Sequence, residues 1–283
     1  MRKIKIMADS TCDLSQELLD RYDISILPLY IVMDEKSYLD GIETTPGEIY
    51  AWSDRCGKTP KTAAVGIDVA ERIMKPYDQE NTDLIMFGIS EAMSSTCNVF
   101  RLVGKEMEHA RVFVINSKNL STGIGIQVLR AAQMARTGMD AQTIVSAIEE
   151  ARKKVRASFV IDTLVYLQRG GRCNAVTALL AGALRLKPQI SVVNGEMGVA
   201  RKFRGNIEAV IRKYAGELES DLKAADPQRV FITHSGAPDQ IVNSVYEYLQ
   251  SLEHFEEILI TQAGSVISSH CGPNTLGILF YER

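Results

Sequence analysis

Neither sign of charge prevails in this 283-residue chain, where 32 basic and 35 acidic side chains leave a formal net charge of −3. A nucleic-acid surface or a polybasic membrane anchor needs a surplus of lysine and arginine, so neither nucleic acid nor a membrane surface is an expected partner. Long apolar runs are missing too. The start, MRKIKIMADS, has a basic flank but no sustained apolar core before Asp9, and no later stretch is long enough to span a bilayer. This speaks against stable membrane insertion and makes a cytoplasmic protein the expectation. Cysteine is sparse: Cys12, Cys56, Cys97, Cys173 and Cys271 are odd in number, far apart and include no C-x-x-C pair. Neither a disulfide framework nor a zinc site is indicated, and the thiols are expected to be reduced. The histidines, His109, His234, His254 and His270, are scattered, so no metal is expected. The chain lacks the phosphate-cradling G-x-x-x-x-G-K-[ST] loop and the G-x-S-x-G nucleophile elbow. Gly123-Ile124-Gly125 does open a helix after a strand. Val128, however, stands where a dinucleotide fingerprint has its third glycine, so NAD is discounted and no cofactor is expected.

What the chain does contain is centred on residues 83–99, DLIMFGISEAMSSTCNV. The run 84–89 is short and uncharged and reads as a strand buried on both faces. Beyond it Val99, Phe100, Val103 and Met107 recur at helical spacing, which puts Ser94, Ser95 and Thr96 where a helix begins. A helix start carries unpaired N–H donors and about half a positive charge, so hydroxyls there can seat a carboxylate or phosphate. Serine and threonine are also ordinary N-caps, and on this stretch alone capping is the first reading.

With 46% hydrophobic residues the chain is long enough for two modest cores, and two domains are expected. Strands over 3–8, 84–89 and 111–115, each followed by a helix, imply right-handed βαβ units and a mainly parallel sheet. Asp13 is positioned to cap the first helix. Residues 24–32, interrupted by Pro28, give a second extended segment, with 38–41 as a hairpin or loop extension of it. Thr45-Pro46-Gly47-Glu48 is a capping-box helix start, residues 58–66 read as a polar loop, and helices follow over 69–74, 121–136 and 141–155. Ligands of parallel sheets sit at the carboxyl ends of the strands, where Asp9 to Thr11, Ser90 to Thr96 and Asn116 to Ser117 converge. After about residue 157 the pattern changes. Two extended runs flank the turn signal Asn194-Gly195, and strands over 229–233, 258–261 and 276–281 alternate with helices near 206–222 and 239–251, implying a mixed sheet.

Three smaller signals remain. His270, followed by Cys271-Gly272-Pro273, reads as a histidine at a strand end on a sharp turn, able to reach a ligand but equally able to be structural. Gly170-Gly171-Arg172 closes a helix holding Leu164 and Leu167, and the plain reading is a glycine C-cap with an exposed arginine. Arg201, Lys202 and Arg204 form a basic knot that a solvated strand face would explain as well.

Taken together, and in order, the segments resemble the DegV family of fatty-acid-binding proteins over nearly the whole chain. The pieces are ADSTCDL at 8–14, ILPLYI with YLDG within 26–41, KTPKTA at 58–63, SSTCNV at 94–99, NSKNLSTGIG at 116–125, LVYLQRGGR at 164–172, LKPQI at 186–190 and GSVISSHCGPNTLG at 264–277. The resemblance implies an α/β fold with an N-terminal three-layer α/β/α domain over 1–157, built on a mainly parallel sheet. A C-terminal α/β domain with a mixed sheet follows over 158–283. It further implies a long-chain fatty acid bound between the domains, no catalysis by the chain itself, and, in bacteria, a partner fatty acid kinase that phosphorylates the presented carboxylate. Carried over by position, Thr62 and Ser94 hold the head group, with Ser95, Thr96 and His270 beside them, and Arg172 and Arg204 lie at the pocket mouth. The pattern departs from the family at Ala63, usually serine, at Ser95, usually glycine, and at Asn116, usually aspartate. Two other readings compete with the carrier. One is an acyl-ester hydrolase using Ser94 or Ser95 with His270 as base; the other is a lipid-sensing regulator. The run 175–186, with Ala178, Leu179, Ala183 and Leu184, is a candidate wall for the acyl tail, though helical core packing would give the same pattern.

Overall fold

The computed structural model describes residues 2–173 and 186–283. Alternation of side chains across strands builds the first sheet. In β1 (Ile4–Asp9), Ile6 and Ala8 point to one face and Met7 to the other. β2 (Ile24–Leu27), β6 (Asp83–Gly88) and β7 (Val112–Asn116) complete a four-stranded sheet in the order β2-β1-β6-β7, parallel throughout. Every residue of β6 is buried: the uncharged run from Leu84 is covered on both sides, and Asp83 at the strand's start is paired with Arg2 and Arg111. On the Met7 face, Leu84 and Met86 pack with Val69, Met74 and Phe100 from helices Ile67–Gln79 and Thr96–Lys105. On the other face, Ile85 and Phe87 meet Leu18, Leu129 and Ile144 from helices Gln16–Tyr22, Thr122–Arg136 and Ala141–Ala151. This is the three-layer α/β/α arrangement.

The second sheet contains β8 (Val155–Val160), β9 (Leu186–Val193), β10 (Glu196–Arg204), β11 (Ala225–Ser235), β12 (Glu257–Gln262) and β13 (Thr275–Glu282). Its order is β10-β9-β8-β13-β11-β12, and it is mixed because β11 and β12 run parallel while the other neighbours are antiparallel. Asn194 and Gly195, at φ 53° and 92°, make the tight turn between β9 and β10 that their sequence predicts. One face of this sheet packs on helices Ile207–Glu217 and Asp239–Ser251 through Ile232, Ile278, Ile211 and Val245. Phe159, Phe231 and Leu279 on the other face share one core with the first sheet. Helix Thr122–Arg136 lies in that shared core, and Thr122 bonds Thr233 of β11 at 2.5 Å. A third, small antiparallel sheet has the order β4-β3-β5, from β3 (Tyr30–Met33), β4 (Lys36–Leu39) and β5 (Lys61–Ala63).

Several sequence expectations are corrected by tertiary pairing. Pro28 does not merely interrupt one segment, since β2 and β3 on either side of it join different sheets. Residues 58–66 are not all loop, because β5 pairs with β3 in the register Ile31↔Thr62. Asp13 caps no helix. Ser15 does so by accepting from the Leu18 amide at 3.4 Å, while Asp13, at φ 51°, turns its buried carboxylate onto Ser121 and Gly264. The helix expected over 141–155 stops at Ala151 because Val155 already pairs with Tyr281 in the mixed sheet. The change of sheet therefore starts at Val155, and a boundary at 157/158 falls within β8. His270 stands not at a strand end but on helix Ser265–Cys271, and Gly272 at φ 76° makes the sharp turn after it. The candidate tail wall 175–186 lies outside the described residues except for Leu186, the buried first residue of β9.

Candidate functional site

At the carboxyl end of β6 the chain is seated by buried Asp9, whose carboxylate accepts the Ile89 amide at 2.8 Å. Ser90 bonds Gly195 O at 2.7 Å, tying this turn to the β9–β10 hairpin. Helix Thr96–Lys105 then begins with Ser95 in the N-cap position, yet the Ser95 side chain caps no amide. Ser94 does the local work, accepting from the Thr96 amide at 3.3 Å and sharing a hydrogen bond with Thr96 Oγ1 at 3.0 Å. Thr96 is fully buried and is absent from the cavity lining, so it supports Ser94 from behind. Capping thus accounts for Ser94 and leaves the exposed Ser95 hydroxyl free to face the cavity.

That cavity measures about 320 Å³ and lies between β5, the Ser94–Ser95 turn and the helix carrying His270. Thr62, Ser94, Ser95, His270 and Arg172 give it a polar side; Ile89, Met93, Leu120, Met197, Val266 and Ile267 make the remainder apolar. Thr62 Oγ1 and His270 Nε2 are 2.8 Å apart across 208 residues of sequence. The other ring nitrogen, Nδ1, is buried without a hydrogen-bond partner among the described residues. Burial, and then the Arg172 charge, push the imidazole pKa down to about 4, so the ring is neutral at physiological pH. A neutral ring that donates from Nε2 makes Thr62 Oγ1 the acceptor and leaves the Thr62 O–H to turn toward the cavity. Arg172 is exposed at the edge, donating to Gly170 O at 2.8 Å and Met93 O at 3.4 Å, and no carboxylate among the described residues pairs with it.

Cys271 also lines the cavity, but burial raises its thiol pKa to about 12, which removes it as a nucleophile. Positions 63 and 95 both line the cavity. The departures at Ala63 and Ser95 therefore move a hydroxyl from one wall to another instead of simply deleting it. Asn116 is not among the lining residues and closes a turn by accepting the Lys118 amide at 3.0 Å, a task its amide oxygen performs as a carboxylate would. Arg204, exposed at the end of β10 opposite Leu186, is not among the lining residues.

A second cavity, about 20 Å³, shares Leu120, Ile267 and Cys271 with the first and is bounded by Phe159 and Leu279 of the mixed sheet. Sequence reading missed Met93, Leu120 and Met197 because isolated apolar residues in turns and strand edges carry no period. It also missed Asp40, which accepts the Ser265 amide at 2.8 Å at the start of the His270 helix.

A cavity with hydroxyls at one end and an apolar remainder, set among the sheets of an α/β fold, has the form that small-molecule sites take. The model described as "Uncharacterised protein, DegV family" matches residues 3–283, and the chain belongs to the DegV family. It is 30% identical over 283 residues to a DegV domain-containing protein of Clostridium perfringens, covering 100% of both chains. The solved structure of a fatty-acid-binding DegV family protein from Thermus thermophilus is similar at a TM-score of 0.91 and 28% identity, covering 100% of both chains. DegV, described as a fatty acid binding protein from Bacillus subtilis, is similar at a TM-score of 0.87 and 25% identity, again over 100% of both. Among the described residues no helix is long and apolar enough to cross a membrane.

Proposed function

We propose that this chain binds one long-chain fatty acid and presents its carboxylate to a partner fatty acid kinase in the cytoplasm, performing no chemistry itself. The observation that carries the reading is the neutral Thr62–His270 pair facing Ser94 and Ser95 at one end of an otherwise apolar cavity. The carboxylate sits among the Thr62, Ser94 and Ser95 hydroxyls, and the tail runs inward past Leu120 and Ile267 between the sheets, which we take as two domains closing on it. Fatty acid binding by the Thermus and Bacillus relatives supports this ligand class.

Burying about 14 methylenes at about 0.8 kcal/mol each offers about 11 kcal/mol before association costs, so the tail supplies affinity. Hydrogen bonds to the carboxylate chiefly orient it. Arg172, exposed and free of a carboxylate partner among the described residues, serves the acyl phosphate or the kinase at the mouth, and Arg204 serves the partner from further out. An esterase needs its base held by a third group. Among the described residues His270 Nδ1 has no hydrogen-bond partner, and Nε2 engages Thr62 instead of a serine, so the hydrolase reading lacks its orienting contact.

Native mass spectrometry of the purified protein, followed by lipid extraction, tests the proposal. About one fatty acid per chain is expected, because a filled apolar pocket stabilises the fold. Extraction of no lipid, together with no thermal shift on adding long-chain fatty acids, would refute it.

A further inference from the structure

The helix Ser265–Cys271 carries no N-terminal cap of its own, since Gly264 offers no side chain. Its first amides are instead held by carboxylates from the far end of the sequence. Asp40 Oδ1 accepts the Ser265 amide at 2.8 Å across 225 residues, and Asp13 Oδ1 accepts the Gly264 amide at 2.8 Å across 251 residues. Both aspartates are buried. Their second oxygens are occupied as well, Asp40 Oδ2 by Ser10 at 2.7 Å and Asp13 Oδ2 by Ser121 at 2.5 Å, so each carboxylate is fixed at both ends.

Asp40 follows β4 directly and donates its own amide to Leu29 O at 2.9 Å, just before β3. The same small sheet carries Thr62 on β5. It therefore grips the helix at two points: Asp40 at Ser265, and Thr62 at His270, five residues later and about 7.5 Å along the axis. We infer that Asp40, assisted by Asp13, is a positioning residue of the head-group site, clamping the start of the helix so that His270 meets Thr62. Burial raises the pKa of both carboxyls, with mutual repulsion adding to it for Asp13, which is a cost to the fold that a simple spacer would not carry.

The inference rests on the fatty-acid reading for its binding consequence but not for its geometry, and the test separates the two. Asp40→Ala is expected to weaken displacement of a fluorescent fatty acid analogue by palmitate about tenfold, and Asp40→Asn, which keeps an acceptor for Ser265, to restore it to within about twofold. Combined with His270→Ala, Asp40→Ala should add little, since both changes act on one contact. Without any lipid, the His270 imidazole followed by NMR should titrate near 4 in the parent and move toward 6.5 in Asp40→Ala. Should Asp40→Ala not fold, Asp40→Ser, whose shorter side chain draws its acceptor oxygen back from the Ser265 amide, takes its place. An unmoved His270 titration in a folded variant overturns the clamp. Unchanged palmitate binding in His270→Ala overturns the head-group reading and leaves the clamp to be judged by the titration alone.

Discussion

Gly170 lies so close against the ring of His270 that a Cβ added there would overlap Nδ1. Helix Val165–Gly170 can therefore abut the helix carrying His270 only because residue 170 has no side chain, and it covers the Nδ1 side of the ring whose Nε2 meets Thr62. Gly170→Ala is expected to destabilise the protein by about 1–3 kcal/mol through overpacking and to weaken fatty acid binding with it. Urea unfolding paired with ligand titration checks both; a variant of parental stability and affinity would mean the ring has room to move.

Thr62→Ala and Ser94→Ala should each weaken fatty acid affinity by about 1–2 kcal/mol without unfolding the protein, as expected for removing one hydrogen bond to a carboxylate. Ser94→Ala also removes the acceptor of the Thr96 amide, so it should lower the melting temperature more than Thr62→Ala does. Isothermal titration and a thermal melt on each variant distinguish the two roles. Unchanged affinity in both would leave these hydroxyls as structural groups.

Arg172 and Arg204 are expected to act on the partner side. Arg172→Ala and Arg204→Ala should retain bound lipid yet be phosphorylated more slowly by a cognate acyl kinase, with the parental rate falling as salt rises, because rim charges act mainly on association. Arg172 lines the cavity edge and Arg204 does not, so any loss of lipid should be confined to Arg172→Ala. Lipid content and kinase turnover measured on the same preparations settle the division, and lipid loss in Arg204→Ala would contradict it.

Acid should loosen the site through His270. Its folded pKa, about 4, lies below the ordinary 6.5, so the fold binds fewer protons than the unfolded chain between those values. The neutral ring thus contributes stability that is fully present above pH about 6.5 and is lost as pH falls toward about 4, amounting to at most about 3 kcal/mol. Asp9, raised to about 6 by burial, works in the opposite sense over a similar range, its stabilising protonation disappearing as pH rises. The clean measurement is the difference in urea midpoint between the parent and His270→Gln across pH 4 to 7. A difference that does not vary with pH would mean that the ring keeps its ordinary pKa.

Local chemistry was legible along the chain wherever a few neighbouring residues decide the outcome. The capping box at Thr45 and Glu48, the turn at Asn194-Gly195, the glycine cap at Gly171 and the doubly buried β6 depend on backbone stereochemistry and side-chain period, and all stand as read. The ordered motifs likewise marked Thr62, Ser94 and Ser95, which do line one cavity. Tertiary structure alone decided what depends on partners far away in sequence. Residues 61–63 became a strand because Ile31 offers Thr62 a ladder position; Asp13 left the first helix because Ser121 and Gly264 compete for its carboxylate. His270 is carried on a helix whose first amides belong to Asp13 and Asp40, more than 220 residues earlier. No local period encodes such a contact, since a buried carboxylate takes whichever donors the folded chain brings to it, and only the packed structure says which those are.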